Sequence, residues 1–437
     1  FQSEKAYSLQ VLLGEVLQLP HRVVLSAAAT DYVLRLPNGQ ELRVEDHFFR
    51  HLRHNAPYAA AAHLPQRVQH LPDPYLPGET LTLLYGQPLF APDAAGLRCG
   101  VDVFASAFFM LSRWEEAALP QRDRHGRFPA EHSLAWQQGF LHRPVVQEWA
   151  RLLREMLARL GYPLPYPARP PAVLLSCDVD HPRLWWSAAD RWRTLGGSLF
   201  RRRQPREAAY WLRTWWRKNR DPYDTFDVLM DWAEQSGQPA HFNFLGERPR
   251  SSDCWYPLRH PAVQHTMRRI AERGHAIGFH ASYEAFDDAQ RFEQELESLR
   301  QVSPLPVTTG RQHYLRFAAP GTARMWERAG MDWDSTLGYP EQPGFRCGMA
   351  QSFPLFDFEQ HRMMNVREKP LLVMDVTLAQ YRRWSPQQAA AETARLRRAT
   401  AQHGGEFVLL WHNSSLHGWG WQGWEAVTHG LLAGADL

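Results

Sequence analysis

Cysteine is scarce in this chain, and its placement excludes two classes of small domain. Four cysteines occur among 437 residues, at Cys99, Cys177, Cys254 and Cys347, and the sequence contains no Cys-x-x-Cys pair. This spacing fits neither a disulfide framework nor a zinc knuckle. We therefore expect free thiols in a reducing compartment.

Charge of one sign and long apolar runs are lacking as well. The net charge of +3 is too small to indicate nucleic-acid binding by itself, and no apolar run has the length of a membrane span. No signal-peptide pattern opens the sequence, and Phe1-Gln2-Ser3 is typical of the remnant of a cleaved expression tag. We therefore expect a cytoplasmic protein and exclude residues 1–3 from the fold.

The composition is that of a globular protein with two domains. The length of 437 residues exceeds one typical core, and 44% of the residues are hydrophobic and 22% charged. Gly161–Pro171 holds five prolines in eleven residues, which excludes a helix and predicts a stiff linker. We predict an N-terminal α/β domain at 1–160, a linker at 161–171 and a second domain at 172–437. The 18 tryptophans suit either sugar binding or core packing.

The N-terminal domain carries mixed signals and no catalytic constellation. Its apolar patterns predict short strands at Arg22–Ser26 and Leu81–Tyr85, and helices at Val101–Glu116 and Val145–Leu160. Four charged residues are expected at the surface or between domains: Asp102, Arg113, Glu115 and Glu116. The role of this domain is left open by the sequence.

Strands and helices alternate after the linker. Strands are predicted at Ala172–Ser176, Ala240–Leu245, Ala276–Phe279, Val307–Arg311, Leu371–Val376 and Glu406–Trp411. This alternation predicts parallel strands wrapped by helices. In such folds the chemistry lies at the carboxyl ends of the strands.

Two carboxylates, Asp178 and Asp180, follow the first of these strands. Residues two apart on a strand point to the same side, so both carboxylates are expected in one small space. Two like charges held that close need a cation or a shared proton. The pair indicates either a metal ligand beside a general base or two residues that cap a loop.

Polar residues also stand in the second predicted strand and just past the other strands. They are Asn243, His280, Ser282, Glu284, Arg311, His313, Tyr314, His412 and Asn413. Their regular placement is a stronger signal than any single residue. It predicts one shared site at this edge of the strands.

Six short motifs follow one another between about residues 170 and 415. They are Ser176-Cys-Asp-Val-Asp180, Pro239-Ala-His-Phe-Asn-Phe-Leu-Gly246, Gly274-His-Ala-Ile-Gly-Phe-His280, Arg311-Gln-His-Tyr314, Asp334-Ser-Thr-Leu337 and Leu409-Leu-Trp-His412. Together they resemble the polysaccharide deacetylase superfamily, also called NodB homology or carbohydrate esterase family four. Within it they resemble the WbmS-type bacterial branch. The resemblance implies a distorted (β/α) barrel at 172–437.

The resemblance also implies roles at the reacting centre. Asp178 corresponds to the base, Asp180 and His280 to metal ligands, and His412 to the general acid. The implied cofactor is a divalent metal, with zinc favoured over manganese, iron, nickel or cobalt.

Other residues are implied as support for that centre. Arg311, together with Asp334, would orient the base, and the backbone N–H of Tyr314 would stabilise the oxyanion. Five residues are expected to contact the substrate or support the site: Asn243, Ser282, His313, Trp411 and Asn413.

One position departs from the family pattern. Glu284 stands where the family has a second histidine ligand, four residues after His280. Glutamate can bind zinc through oxygen, so Asp180, His280 and Glu284 form a sensible but more anionic ligand set. Alternatively, Glu284 faces solvent and the site is degenerate, or His313 supplies a ligand or a second acid.

A basic, tryptophan-rich insert lies at about 187–222, and its arginines run from Arg191 to Arg220. Such a segment suits an anionic membrane surface or a lipid phosphate, and this would place the protein at the inner face of the membrane. It equally fits a solvated lid whose tryptophans pack on the barrel. Nucleic acid is not expected, because no recognition motif accompanies the charge.

These observations predict a metal-dependent N-deacetylase. Its substrate would be an N-acetylated amino sugar of a bacterial surface polysaccharide, or a lipid- or nucleotide-linked precursor. The alternatives are an inactive barrel that binds carbohydrate or scaffolds an assembly complex, and hydrolysis of a non-sugar amide. The sequence leaves the sugar, the acyl group and the oligomeric state open.

Overall fold

The computed structural model describes residues 1–24, 30–52, 57–165, 172–218, 221–247, 254–425 and 427–428. Its helices are α1 (Gln2–Leu9), α2 (Val103–Ser112), α3 (Trp114–Ala118), α4 (Leu134–Gln137), α5 (Val145–Arg159), α6 (Ala188–Gly196), α7 (Pro205–Lys218), α8 (Phe226–Gln235), α9 (Pro261–Glu272), α10 (Ala289–Arg300), α11 (Gly321–Arg328) and α12 (Pro386–Gln402). Its strands are β1 (Tyr32–Arg35), β2 (Glu41–Val44), β3 (Gln69–Pro72), β4 (Thr80–Leu83), β5 (Gly86–Asp93), β6 (Gly96–Val101), β7 (Ala172–Val179), β8 (His241–Leu245), β9 (Ala276–Ala281), β10 (Thr309–Gln312), β11 (Trp333–Asp334), β12 (Phe353–Asp357), β13 (Arg362–Glu368), β14 (Val373–Met374) and β15 (Glu406–Leu410).

The chain forms two compact units that do not follow one boundary in sequence. The first contains Phe1–Pro171, Leu315–Leu372 and Arg398–Phe407, and the second contains Ala172–Tyr314, Val373–Arg397 and Val408–Leu437. The structure thus departs from a single boundary at 161–171, because two later segments pack with the N-terminal part. Residues 166–171 of the proposed linker lie outside the described residues. Among the described helices, none combines the length and apolar character that a membrane crossing needs.

The first unit is built around α2, whose residues are all buried. Strands β1, β2, β6 and β5 form a four-stranded sheet in that order. The ring of Phe356 on β12 packs against Tyr7 and Phe108, with centroids 4.9 and 5.1 Å apart. These contacts explain why residues near 350 belong to this unit, since burying an aromatic ring stabilises it strongly.

Residues 1–3 belong to the fold, and their exclusion from it is a wrong prediction. Gln2 begins α1. The ring of Phe1 lies 5.6 Å from that of Phe49 and 5.8 Å from that of Tyr58. Aromatic packing therefore holds the first residue in place.

The charges predicted for the surface of the N-terminal part are buried. Asp102, Arg113, Glu115 and Glu116 are each at most 3% exposed. Glu116 accepts hydrogen bonds from Arg113 Nε at 2.9 Å and from Arg346 NH2 at 2.6 Å. The surface alternative is wrong. The partner Arg346 lies 230 residues along the chain, beyond the predicted linker, as the alternative of a position between domains would require, but both residues belong to the first unit of the structure.

Two element predictions in this unit also need correction. The strand predicted at Arg22–Ser26 is absent at residues 22–24, where Val24 is exposed, and residues 25 and 26 lie outside the described part. The helix predicted over Val101–Glu116 is divided into α2 and α3 at Arg113, which has a φ of 55°. The guanidinium of Arg113 forms ion pairs with Glu115 and Glu116 of the helix that follows. Predicted helix α5 and strand β4 are confirmed with small shifts in their bounds.

The second unit contains strands in the order β10, β9, β8, β7, β15 and β14. The pairs β7–β8, β8–β9, β9–β10 and β14–β15 are parallel, as the alternating pattern predicts. Strand β7 is buried along nearly its whole length, which is typical of a parallel strand covered on both faces. The closure of these strands into a barrel stays a prediction. Their carboxyl ends carry the candidate site.

The pH dependence of stability should contain a contribution from His403. Burial, together with the nearby Arg151, Arg154 and Arg143, lowers the pKa of His403 from 6.5 to about 4. Between about pH 4 and pH 6.5, His403 is therefore protonated in the unfolded chain but not in the folded chain. The contribution of this group to the free energy of unfolding is fully present above about pH 6.5 and is lost as the pH falls towards 4. We expect about 3 kcal/mol of this loss of stability to disappear in His403→Gln.

Urea unfolding of both proteins at several pH values measures this contribution. A His265→Gln variant is the control, because His265 is exposed on α9. Equal pH slopes for the parent protein and His403→Gln would contradict the assignment.

Candidate active site

Three neighbouring strands place the inner residues of the site in one row. Asp178 on β7 stands in register with Asn243 on β8, and Asn243 with Gly278 on β9. The Asn243 side-chain nitrogen donates to Asp178 Oδ1 at 2.7 Å. A Cβ atom on Gly278 would lie 2.1 Å from Asn243 Oδ1. The glycine therefore leaves the space that the amide occupies.

Gly278→Ala is expected to displace Asn243 and to destabilise the protein by about 1–3 kcal/mol, as overpacking in a dense core does. The effect should shrink clearly in an Asn243→Ala background, because the clashing atom is then gone. Urea unfolding of the two single variants and the double variant gives this coupling. Additive losses would mean that the alanine methyl clashes with the backbone around Thr309 instead.

Asp178 is a buried carboxylate that the surrounding groups keep ionised. Arg311 NH1 donates to Asp178 Oδ1 at 2.9 Å, and Arg311 NH2 donates to Ser176 Oγ at 3.0 Å. Burial alone would raise the pKa of Asp178, but Arg311, the neighbouring imidazoles and the Asn243 amide hold it below its usual value. A carboxylate that is ionised and fixed in direction can act as a proton acceptor.

Three histidines surround the carboxylate of Asp180. Its Oδ1 lies 3.3 Å from His280 Nε2 and 3.4 Å from His313 Nε2, and its Oδ2 lies 3.7 Å from His412 Nε2. Although burial raises the pKa of Asp180, these imidazoles hold it well below its usual value. The structure therefore brings together the predicted residues Asp178, Asp180, His280 and His412, with His313 beside them.

The hydrogen bonding of His280 leaves one ring nitrogen directed at Asp180. His280 Nδ1 lies 3.0 Å from the carbonyl oxygen of Arg311, which can only accept, so Nδ1 carries the hydrogen. Within the described residues, His280 Nε2 and Asp180 Oδ1 are buried without a hydrogen-bond partner. Two buried acceptor atoms that face each other at 3.3 Å fit a cation between them.

His412 forms a pair with Asp375, which lies just after β14. Asp375 Oδ1 accepts from His412 Nδ1 at 2.8 Å, and Oδ2 accepts from the backbone N–H of His412 at 2.8 Å. Burial works against the charged imidazole, but Asp375, Asp180 and Asp178 raise the pKa of His412 to about 9. A protonated imidazole with a fixed orientation can donate a proton.

A thiol that the motifs do not include lies beside this centre. The ligand atoms of Asp180, Cys254 and His313 all lie within 4.8 Å of one another. Cys254 Sγ is also 3.7 Å from His181 Nε2. Burial would raise the pKa of Cys254, but hydrogen bonds with His181 and His313 bring it below the ordinary thiol value.

Of three other predicted residues, two follow β9 and β10 and one belongs to the first unit. Glu284 is in a single 3₁₀ turn after β9 and faces Arg291 NH1 at 3.9 Å. Tyr314 has a φ of 59°, and its ring is 42% exposed. Asp334 belongs to the first unit, where its Oδ1 accepts from Thr336 Oγ1 at 2.5 Å. The ligand role of Glu284, the oxyanion role of Tyr314 and the orienting role of Asp334 stay predictions.

The remaining predicted residues support the loops of the site. Ser282 Oγ donates to Glu295 at 2.7 Å, and Asn413 Nδ2 donates to the carbonyl oxygens of His181 and Tyr223 at 2.9 and 2.8 Å. Trp411 is fully buried, so its ring is not accessible to a substrate. Its backbone N–H donates to the carbonyl of Ser176 at 2.9 Å.

Sequence reasoning missed Asp375 and Cys254. Asp375 could have been found from the sequence, because it stands near the carboxyl end of the predicted strand Leu371–Val376, as Asp178 stands near the carboxyl end of β7. Cys254 stands in a connection between β8 and α9, and nothing in its sequence context points to the site.

Residues 1–162 match a protein family described as "Family of unknown function (DUF7033)". Comparison with curated proteins gives no match. The chain is similar to a crystal structure from Mycobacterium smegmatis provisionally assigned as a polysaccharide deacetylase, with 17% sequence identity and a TM-score of 0.40, over 63% of this chain and 88% of that chain. A similarity of this size carries no argument about the reaction, which is inferred below from the side chains.

Proposed function

We propose that this chain hydrolyses an amide in a metal-dependent reaction. The observation that carries the proposal is the carboxylate of Asp180, surrounded by three imidazole nitrogens at 3.3, 3.4 and 3.7 Å. A proton acceptor and a proton donor lie beside this group, since Asp178 Oδ2 is 3.9 Å from His280 Nε2 and His412 Nε2 is 3.7 Å from Asp180 Oδ2. This combination of ligands, base and acid is that of a metal-assisted hydrolase.

The metal would be held by Asp180, His280 and His313. His280 Nε2 and Asp180 Oδ1, which have no hydrogen-bond partner among the described residues, fit a divalent ion, and nitrogen and oxygen ligands suit zinc. Because His313 lies within 3.4 Å of Asp180 while Glu284 faces Arg291, His313 is the better third ligand. When bound, the ion would polarise the substrate carbonyl and acidify water.

The protein's own groups would move the protons. Asp178, fixed by Arg311 and Asn243, accepts the proton of the attacking water. His412, held by Asp375, donates a proton to the nitrogen of the leaving amine. Water thus adds its oxygen to the acyl carbon, the C–N bond breaks, and a carboxylic acid and an amine are released.

The substrate class proposed is an N-acetylated amino sugar of a surface polysaccharide or its precursor. Support comes from the motif resemblance and from the rim of the site, where the exposed ring of Tyr314 lies 5.3 Å from that of Tyr283. Aromatic faces of this kind can pack against the apolar side of a sugar ring. The WbmS-type branch belongs to this proposal and rests on the motifs alone.

The proposal is tested by metal analysis and acetate release. The purified full chain should contain about one divalent ion and release acetate from free, nucleotide-linked or lipid-linked N-acetylated saccharides. Asp180→Asn should lose both properties, whereas Asp287→Asn, an exposed aspartate in a nearby loop, should keep them. Glycan binding without metal or acetate release would contradict the proposal and support an inactive carbohydrate-binding protein.

A further inference from the structure

The thiol of Cys254 lies among the atoms proposed to hold the metal. The group formed by Asp180, Cys254 and His313 has all its ligand atoms within 4.8 Å of one another. His280 Nε2, fully buried and without a partner among the described residues, faces the same Asp180 oxygen at 3.3 Å. The two observations share Asp180, which lies within reach of Cys254, His313 and His280.

We propose that Cys254 is a thiolate ligand of this ion, so that the centre contains Asp180, His280, His313 and Cys254. The inference rests on the proposed function, because it concerns the same ion. One carboxylate, two imidazoles and one thiolate form a tetrahedral set that suits zinc. A soft thiolate disfavours manganese and magnesium, so the set also gives the site a preference among metals.

This ligand set has a consequence for access to the ion. Four protein ligands close a tetrahedral site, whereas a catalytic zinc keeps one position open. Hydrolysis then requires the sulfur to leave and a water molecule to take its place. His181 Nε2, 3.7 Å from Cys254 Sγ, is positioned to receive the released thiol. The resting state is thus the one in which Cys254 binds the ion, and the active state is the one in which water has replaced its sulfur.

Cobalt spectroscopy of the full chain tests the assignment. Metal-free protein titrated with Co²⁺ should show thiolate-to-cobalt charge-transfer absorption in the near ultraviolet. Cys254→Ser and Cys254→Ala should bind one Co²⁺ but lack this absorption, and Cys99→Ala, which changes a buried thiol of the first unit, should retain it. Two cysteine variants are used so that one folding failure does not decide the result.

The outcomes separate this inference from the proposed function. Cobalt bound by the parent chain without charge-transfer absorption, or absorption that persists in Cys254→Ser, would overturn the thiolate ligand alone. A chain that binds no cobalt at all would overturn the metal centre as a whole.

A second inference comes from the surface of the basic insert. Five large apolar side chains are exposed on α6, the following turn Gly197–Arg201 and α7. They are Trp192, Leu199, Phe200, Leu212 and Trp216, and we call them the insert surface. Phe200 is 83% exposed and Trp216 90% exposed. Leu212 and Trp216 are one helical turn apart on α7 and are exposed, whereas Glu207, Ala208 and Trp211 of the same helix are buried.

Cationic side chains surround the insert surface. Arg201, Arg203, Arg206 and Arg213 are exposed, and in the part of the chain that the structure describes none of them forms an ion pair. The two acidic residues of 187–218 are already paired, Asp190 with Arg193 at 3.0 Å and Glu207 with Arg202 at 2.7 Å. We infer that the insert surface binds an anionic lipid membrane, because exposed apolar groups ringed by free arginines match that interface.

The insert is also attached to the loop that follows His412. Tyr210 OH on α7 donates to the carbonyl oxygen of His417 at 2.9 Å, and the Tyr210 ring lies 5.5 Å from that of Trp419. A membrane bound by the insert would therefore lie near the segment that carries the proposed acid.

Vesicle flotation tests this surface. The full chain should bind phosphatidylglycerol-containing vesicles and not pure phosphatidylcholine, and added salt should weaken the binding. The double variant Phe200→Glu/Trp216→Glu should bind at least about tenfold more weakly, while Val24→Glu, at an apolar residue that is 74% exposed in the first unit, should bind as the parent does. Absence of binding to anionic vesicles would overturn the inference, as would light scattering showing that the insert surface joins two copies.

Discussion

Asp178→Asn is expected to lower kcat for amide hydrolysis about 10³-fold while the metal stays bound. The substitution keeps the shape of the side chain and its position between Arg311 and Asn243. It removes the negative charge and the proton acceptor. Because Asp178 is not placed among the nearest ligands of the ion, the metal content measured by elemental analysis should not change.

Metal content and steady-state kinetics must be measured on the same preparation. Asp178→Asn and Asp180→Asn form a matched pair, since the same chemical change is made two residues apart. The first should retain the metal and lose turnover, and the second should lose both. A loss of activity below about tenfold in Asp178→Asn would contradict its role as the base.

Glu116→Gln should destabilise the protein by about 3–5 kcal/mol, which is the usual cost of leaving a buried charge without its partner. Glu116 and Glu115 balance Arg113 and Arg346 in a cluster whose side chains are at most 3% exposed. Burial raises the pKa of Glu116, but Arg346 and Arg113 hold it below its usual value. Removing this charge leaves one guanidinium unbalanced.

Urea unfolding of single and double variants separates charge from packing. The double variant Glu116→Gln/Arg346→Gln keeps one pair of opposite charges, Arg113 with Glu115. Because its buried charges balance, it should be no less stable than Glu116→Gln alone. Glu41→Gln is the control, because its partner Arg35 is exposed and such pairs contribute less than about 1 kcal/mol. Equal effects of Glu41→Gln and Glu116→Gln would show that the buried cluster carries no special stability.

The site was predictable where one local rule was enough. Alternation along β7 placed Asp178 and Asp180 on the same side, and both lie within 3.9 Å of His280. The strand-end rule also selected His412, and applied to β14 it would have selected Asp375. These residues lie in or next to strongly apolar runs, and such runs can be recognised as strands from the local sequence alone.

The rest depends on contacts between distant parts of the sequence. The proposed preference for His313 over Glu284 as a ligand rests on the directions of the turn after β9 and of the end of β10, which residue spacing does not give. The burial of Arg113 and Glu116 depends on Arg346, far along the chain. The two later segments of the first unit could not be assigned to it either, because their apolar patterns fit the alternation of the second unit equally well.

The composition of the first unit from three separate segments has a consequence during synthesis. Its strands β11, β12 and β13 and residues up to Phe407 leave the ribosome only after most of the second unit has been made. Until then Tyr7 and Phe108 lack Phe356, and Glu116 lacks Arg346. A nascent or truncated product ending near residue 171 therefore exposes unmatched rings and charges, and would need a chaperone or the rest of its own chain to remain in solution.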